Sequence, residues 1–196
     1  MNYRQFVTAQ SIMMTAGSIV FPFYLLLVKN LGESYAQFGW AYGIFTLTAA
    51  SVYPWIGKWS DRIGDEKLLL LYTWGMAVLM LTIPLITDVW QVYVVQVVMG
   101  MLGAVQKNTE KTFLARDAEK TSAGAKIGSY HFKISLWSAA GVIVAGYLID
   151  FLTIASLFYL VSVLYLLSSF VIWRKNTEVS SQVSGSNADG KGIERL

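Results

Sequence analysis

The chain has 196 residues, of which 55 % are hydrophobic and 14 % charged, and its formal net charge at pH 7 is +3. Soluble domains carry about a quarter charged residues and under half apolar ones, so this composition excludes an ordinary soluble enzyme and a disordered chain. The sequence has no cysteine and one histidine, which excludes disulfides, thiol catalysis and thiolate metal sites and leaves little for a catalytic zinc site.

The chain contains six apolar stretches, each about long enough to cross a bilayer as a helix. A hydrocarbon core about 30 Å thick needs about 20 helical residues at a rise of 1.5 Å each. The stretches are continuously apolar and lack the alternation of a membrane β-strand, so we expect an all-α membrane protein in contact with the lipid bilayer. The predicted spans are residues 6–28, 35–57, 68–87, 89–106, 127–149 and 153–173.

The composition and the charges on either side of the spans predict an orientation. Residues 175–196 are rich in Ser, Gly, Asn and Asp, which predicts a disordered tail after a six-helix domain of residues 1–174. If the N-terminus is cytoplasmic, every Lys and Arg except Lys29 lies on the cytoplasmic side. This asymmetry predicts a multi-pass protein of the cell membrane with both termini in the cytoplasm. It also accounts for the basic net charge without a nucleic-acid partner.

The loop between the second and third spans combines two glycines with adjacent acidic and basic residues. Gly57 would let the end of span two approach a neighbouring helix closely, and Gly64 would allow a tight turn before span three. Asp61 offers an acceptor to the backbone N–H groups of a helix N-terminus. Arg62 can pair with a carboxylate of the same loop.

This loop, residues 57–64, resembles the G-x-x-x-D-R-x-G signature of the major facilitator superfamily, in the position where that family carries it. The family usually has basic residues after the second glycine, whereas this sequence has Asp65 and Glu66. The departure weakens any role of this segment as a ladder of cations.

The end of the fifth span carries a second resemblance. Gly141, Gly146 and Asp150 match the GP-x-x-GG…D ending of the family's fifth helix, with Val142 in place of the proline. Trp137 stands where the antiporter version of this motif has another glycine, so the resemblance does not indicate antiport.

The resemblance implies the fold of one half of a major facilitator transporter. In that family two six-helix halves, related by an axis along the membrane normal, enclose the substrate site, and helices one, two, four and five surround the cavity. The chain is then expected to work as a homodimer or with a second six-helix half. The resemblance also places Asp61 beside the start of span five, residues 127–130, of the opposite half, where a helix N-terminus stabilises a carboxylate.

Polar side chains inside the spans are candidates for the cavity wall, because each costs free energy in hydrocarbon. The candidates are Gln10, Thr15, Gln96, His131 and Ser135. Hydroxyl groups in membrane helices more often bond to their own backbone, whereas an amide has four hydrogen-bonding sites to satisfy. His131 is open to two interpretations, a proton-coupling site or a hydrated residue at the interface.

No carboxylate is predicted inside a span, which argues against a carboxylate proton relay. Glu110 follows the predicted end of span four. With Lys111 and Arg116 close by in the sequence, it is interpreted as a member of an interfacial ion pair.

These features together favour transport of a small solute by alternating access. Two alternatives stay open: a non-transporting module that packs against a membrane partner, and an inactive fragment of a longer transporter. The sequence has no GxSxG, no GxxxxGK[ST] and no Cys/His cluster, so we expect neither an enzyme, nor a cofactor, nor a metal site. The modest polarity of the spans favours an amphipathic or neutral solute.

Overall fold

The computed structural model describes the backbone of residues 1–31, 34–118 and 123–189, and the side chains of these residues except 25–31, 118 and 175–189. The described residues form helices and no strand, which confirms the predicted all-α class. The helices are α1 (Tyr3–Leu31), α2 (Tyr35–Ile63), α3 (Asp65–Thr82), α4 (Val89–Ala118), α5 (Ala123–Leu148) and α6 (Ile154–Asp189), with a 3-10 turn at Ile83–Leu85.

Four of the six helices are long and apolar enough to cross a membrane. These are α1 over Tyr3–Tyr24, α3 with its 3-10 turn over Asp65–Leu85, α4 over Val89–Asp117 and α6 over Ile154–Arg174. In the described part of the chain, α2 and α5 are equally long but less apolar, since they contain more glycine, hydroxyl and aromatic residues. The predicted spans 35–57 and 127–149 lie in these two helices and are not among the four.

The fourth helix is longer than its apolar stretch. The predicted span ends at residue 106, whereas α4 continues through the charged residues that follow it to Ala118. The hydroxyls of Thr109 and Thr112 bond back to backbone carbonyls of the same helix. Lys and Glu are good helix formers, and the charges can find partners on neighbouring helices.

The sixth helix also exceeds its predicted end. The backbone is helical to Asp189, where the composition of residues 175–196 predicts disorder. Backbone hydrogen bonds of a helix are local, so this continuation requires no tertiary contact. Residues 190–196 of the predicted tail lie outside the described residues.

The helices pack in a pattern that repeats. α1 packs on α5 and α6, α4 packs on α2 and α3, and α3 packs on α6. If α1, α2 and α3 are exchanged with α4, α5 and α6 respectively, the α1–α5 pair becomes the α4–α2 pair and the α1–α6 pair becomes the α4–α3 pair. The packing therefore repeats between two units of three helices each, although the sequence contains no visible repeat.

Polar side chains of α6 join it to two neighbours. Ser162 donates a hydrogen bond to the Ala77 carbonyl of α3 at 2.8 Å, and Ser168 donates to the Ala9 carbonyl of α1 at 3.1 Å. Gln5 of α1 donates to carbonyls near the end of the apolar part of α6. Because residue numbers fall along α6 as they rise along α1, the two helices run antiparallel.

Candidate functional site

The loop between α2 and α3 is shaped by one glycine. Gly64 has φ +89° and ψ 149°, and its N–H bonds to the Ser60 carbonyl at 3.1 Å to end α2. A residue with a side chain is strained there, which agrees with the predicted turn. At Gly57 an added Cβ would meet no atom within 4 Å, so the described chain has no close helix approach there.

A cluster of charges lies beside this turn. Asp65, at the start of α3, is 8 % exposed and accepts hydrogen bonds from the hydroxyls of Ser60 and Thr112. Arg116 of α4 donates from Nη1 to Asp65 at 2.9 Å and from Nη2 to Asp61 at 3.3 Å. The guanidinium thus ties two carboxylates of the loop region to the end of α4.

This cluster differs from the predicted pairing. Among the described side chains no ion pair includes Arg62; Asp61 pairs with Arg116 instead. Asp65, which stands where the resembled family usually has a basic residue, is the most buried member of the cluster. The reversed charge at position 65 therefore has a compensating cation on α4, which a reading of the loop alone could not find.

The glycine motif of α5 has one close contact. A Cβ added to Gly141 would lie 2.3 Å from Cγ2 of Thr15, so α1 and α5 approach each other at this point. At Gly146 an added Cβ meets no atom within 4 Å in the described chain. Asp150 lies exposed in the turn after α5. Among the described residues, only Gly141 of this motif has a close contact that a side chain would disturb.

A cavity of about 280 Å³ lies among α1, α2, α3, α4 and α6. Most of its wall is aromatic or otherwise apolar. Its lining includes Tyr24, Phe45, Gln96, Gln106 and Lys107. Tyr24 is 5 % exposed, and its hydroxyl has no hydrogen-bond partner among the described residues. The cavity thus offers apolar walls with a few polar groups, which is the general character of a small-molecule site.

A buried polar network leads from this cavity towards α5. Gln106 donates to Oε1 of Gln10 at 3.0 Å and to Glu110 at 3.3 Å, and the Tyr130 hydroxyl donates to Glu110 at 2.8 Å. Gln10 and Tyr130 are fully buried. The Nε2 atom of Gln10 has no partner in the described part of the chain. The network links α1, α4 and α5 through side chains alone.

This network corrects the interpretation of Glu110. The residue lies within α4 and within the candidate membrane span Val89–Asp117, not in a loop after the span. It bonds to a tyrosine and an amide, while Arg116 is engaged by Asp61 and Asp65. Gln106, the last residue of the predicted span 89–106, was not among the predicted cavity residues, and Glu110 lies one turn beyond the predicted end of that span.

The remaining candidates lie elsewhere. The Thr15 hydroxyl donates to the Ser11 carbonyl at 2.7 Å, as a hydroxyl in a membrane helix usually does. His131 and Ser135 are exposed on α5, and the His131 ring contacts the edge of Tyr130. Of the five candidates, Gln96 lines the cavity and Gln10 reaches it through Gln106.

Comparison with known proteins gives matches along nearly the whole chain. Residues 6–193 match the family model described as Major Facilitator Superfamily. The chain is 47 % identical over 162 residues to the uncharacterized MFS-type transporter YitZ of Bacillus subtilis (strain 168), covering 83 % of this chain and 99 % of that protein.

Longer relatives match as well. The chain is 28 % identical over 191 residues to the multidrug resistance protein MdtG of Proteus mirabilis (strain HI4320), covering 90 % of this chain and 47 % of that protein. For MdtG of Dickeya zeae (strain Ech586) the identity is 27 % over 153 residues, covering 76 % of this chain and 37 % of that protein. The chain thus spans less than half the length of these MdtG relatives and almost all of YitZ.

Proposed function

Because this chain belongs to the Major Facilitator Superfamily, a family of multi-pass membrane transporters and not of enzymes, we propose that it moves a small amphipathic or neutral solute by alternating access together with a second six-helix half. The observation that carries the proposal is the cavity with apolar walls and few polar groups. Relatives named as multidrug resistance proteins support an amphipathic solute. The predicted orientation, with both termini in the cytoplasm, is part of the proposal.

The cavity wall suits such a solute in two ways. The rings of Tyr24 and Phe45 provide apolar area and faces for stacking. The Gln96 amide and the Tyr24 hydroxyl supply donors and acceptors that can orient the solute by hydrogen bonds. Lys107 lines the same cavity, so a cationic solute would meet a like charge there.

The size of the cavity supports the need for a second half. Small-molecule sites usually enclose about 300–1,000 Å³, and the cavity of this chain, about 280 Å³, is just below that range. Large apolar side chains are exposed on the two less apolar helices, among them Trp40 and Leu47 on α2 and Phe132 and Leu136 on α5. Packing of another half over these helices would enlarge and close the site. That half is a second copy of this chain or a separate six-helix half.

Two alternatives from other classes compete with this proposal: a non-transporting interaction module and an inactive fragment of a longer transporter. His131 does not line the cavity, so proton coupling through it is not part of the proposed transport cycle.

Uptake of a fluorescent amphipathic dye by liposomes that contain the purified chain tests the proposal. We expect wild-type uptake above that of empty liposomes, and Tyr24→Phe and Gln96→Leu to slow it about fivefold each, because each loses about 1 kcal/mol of hydrogen bonding. Tyr159→Phe removes the same hydroxyl from an exposed site and should leave the rate unchanged. No uptake by folded wild-type protein would contradict a transporter made of two copies of this chain and would leave a separate second half or the two alternatives.

A further inference from the structure

A second concave surface lies on the side of the bundle, where α5 and α6 flank α1. It is a groove of about 710 Å³, here named the α1–α5 groove. In the described part of the chain α5 and α6 both pack on α1 but not extensively on each other, so α1 forms the floor of the groove between them. Its lining includes Arg4, Thr8, Lys133, Trp137 and Leu164.

The polar and apolar residues of this groove lie at different depths. The Tyr3 hydroxyl bonds to the Lys126 carbonyl, so Arg4 lies near the end of the bundle where α1 begins. Lys133, seven residues beyond Lys126, is about two turns, or roughly 10 Å, further along. Both side chains are long enough to reach a common group between them. The cations therefore occupy the outer end of the groove.

The deeper part of the groove is mostly apolar; Ser11 and Thr15 also line it, and the Thr15 hydroxyl is bonded to its own helix. Trp137 lies one turn beyond Lys133 on α5, and it is 61 % exposed. Ser168 bonds to the Ala9 carbonyl, which places Leu164 about one turn deeper than Ala9, since α6 runs antiparallel to α1. The Thr8 hydroxyl bonds to its own helix and presents little polarity to the groove.

The electrostatics of the groove are one-sided. Its lining residues include two cations and no carboxylate. Among the side chains described, neither Arg4 nor Lys133 takes part in an ion pair. A ligand for this surface must carry negative charge at the outer end and apolar bulk at the deeper end.

We propose that the α1–α5 groove binds one anionic phospholipid of the leaflet where α1 begins. Its phosphate lies between Arg4 and Lys133, and one acyl chain lies against Trp137 and Leu164. Each cation near an anionic membrane surface contributes a factor of about five, so the pair gives a preference for anionic over zwitterionic lipid of about 30-fold. This proposal is independent of the solute that the cavity takes.

Native mass spectrometry of the purified protein with phosphatidylglycerol or phosphatidylcholine tests the headgroup contact. Wild type should retain phosphatidylglycerol about 30-fold more tightly, and Arg4→Gln/Lys133→Gln should lose that preference. Lys58→Gln/Lys67→Gln removes two exposed cations outside the groove and should keep it. Equal retention of phosphatidylglycerol by wild type and Arg4→Gln/Lys133→Gln would overturn the proposal.

Quenching by acyl-brominated lipids tests where the chain lies. The protein has no native cysteine, so Leu164→Cys can carry a single fluorophore in the groove, and Leu71→Cys, exposed on α3, can carry a control. In phosphatidylcholine liposomes with a minor share of brominated lipid, brominated phosphatidylglycerol should quench the fluorophore at 164 more strongly than brominated phosphatidylcholine does. At 71 the two should quench equally. Equal quenching at 164 would indicate surface adsorption only, and no quenching there would indicate a protein partner over the groove; either result contradicts the proposal.

Discussion

Asp65 is the residue on which the charge cluster between α2, α3 and α4 depends. It accepts from Ser60, Thr112 and Arg116, and it is far more buried than Asp61, whose side chain is 76 % exposed. A carboxylate with several donors in a buried position contributes more than an exposed one, because solvent screens the exposed pair. The two aspartates therefore contribute differently to the stability of the fold, although both contact the same guanidinium.

The matched substitutions Asp65→Asn and Asp61→Asn should show how much each carboxylate contributes to stability. Asp65→Asn leaves buried donors and Arg116 without their charged acceptor, and we expect it to cost about 1–3 kcal/mol, a fall in Tm of roughly 3–10 °C. Asp61→Asn should change Tm by no more than about 2 °C. The measurement is thermal unfolding of the purified variants in detergent. Equal shifts for both would contradict the assigned hierarchy.

Single-residue interpretation of the sequence succeeded where the requirement is local. Gly64 could be predicted as a turn residue because the positive φ is a property of one position. Gln10 could be singled out because an amide has four hydrogen-bonding sites to satisfy; its Oε1 accepts from Gln106, while its Nε2 has no partner among the described residues. The partners themselves, Gln106 and Arg116, could not be predicted, because their contacts join positions about 50 to 100 residues apart.

At the scale of helices, the close approach of α1 and α5 depends on the absence of a side chain at Gly141. A methyl group there would lie 2.3 Å from Cγ2 of Thr15. The contact couples the α5 motif to a hydroxyl residue that the sequence analysis had considered for the cavity. Thr15 is thus a packing residue at this point.

Gly141→Ala should destabilise the protein by about 1–3 kcal/mol through overpacking, a fall in Tm of roughly 3–10 °C. Thr15→Ser removes Cγ2 and should recover most of that loss in the double variant. Gly146→Ala is the matched control on the same helix, where an added Cβ has open space, and it should not lower Tm. Failure of Thr15→Ser to rescue Gly141→Ala would show that the collision is not the cause.

The number of helices could be predicted from the sequence, and their lengths could not. An apolar run of about 20 residues is sufficient evidence for a span, since lipid leaves few alternatives to a helix. The end of α4 depends on charged residues whose partners lie on α3 and α5, as Glu110 with Tyr130 shows. The end of a helix is then decided by tertiary contacts that hydropathy does not contain.

At the scale of the molecule, the pairing of α1 with α5 and of α4 with α2 gives one compact six-helix unit. The unit exposes two positions that the family resemblance places opposite each other in different halves. Asp61 is largely exposed, and Gly128 at the start of α5 has no atom near an added Cβ within the described chain. Both are accessible to a partner.

We propose that two six-helix units assemble with the α2–α3 loop of one beside the start of α5 of the other. Asp61→Cys on a chain with one affinity tag and Gly128→Cys on a chain with another tag, mixed in one membrane, test it directly, because the protein has no other cysteine and no disulfide can form within a chain. We expect a cross-linked band that carries both tags. Asp61→Cys mixed with Asp150→Cys, from the loop after α5, should give no such band. If the Asp61→Cys and Gly128→Cys chains, both folded in the membrane, form no band with both tags under oxidising conditions, the assembly is contradicted.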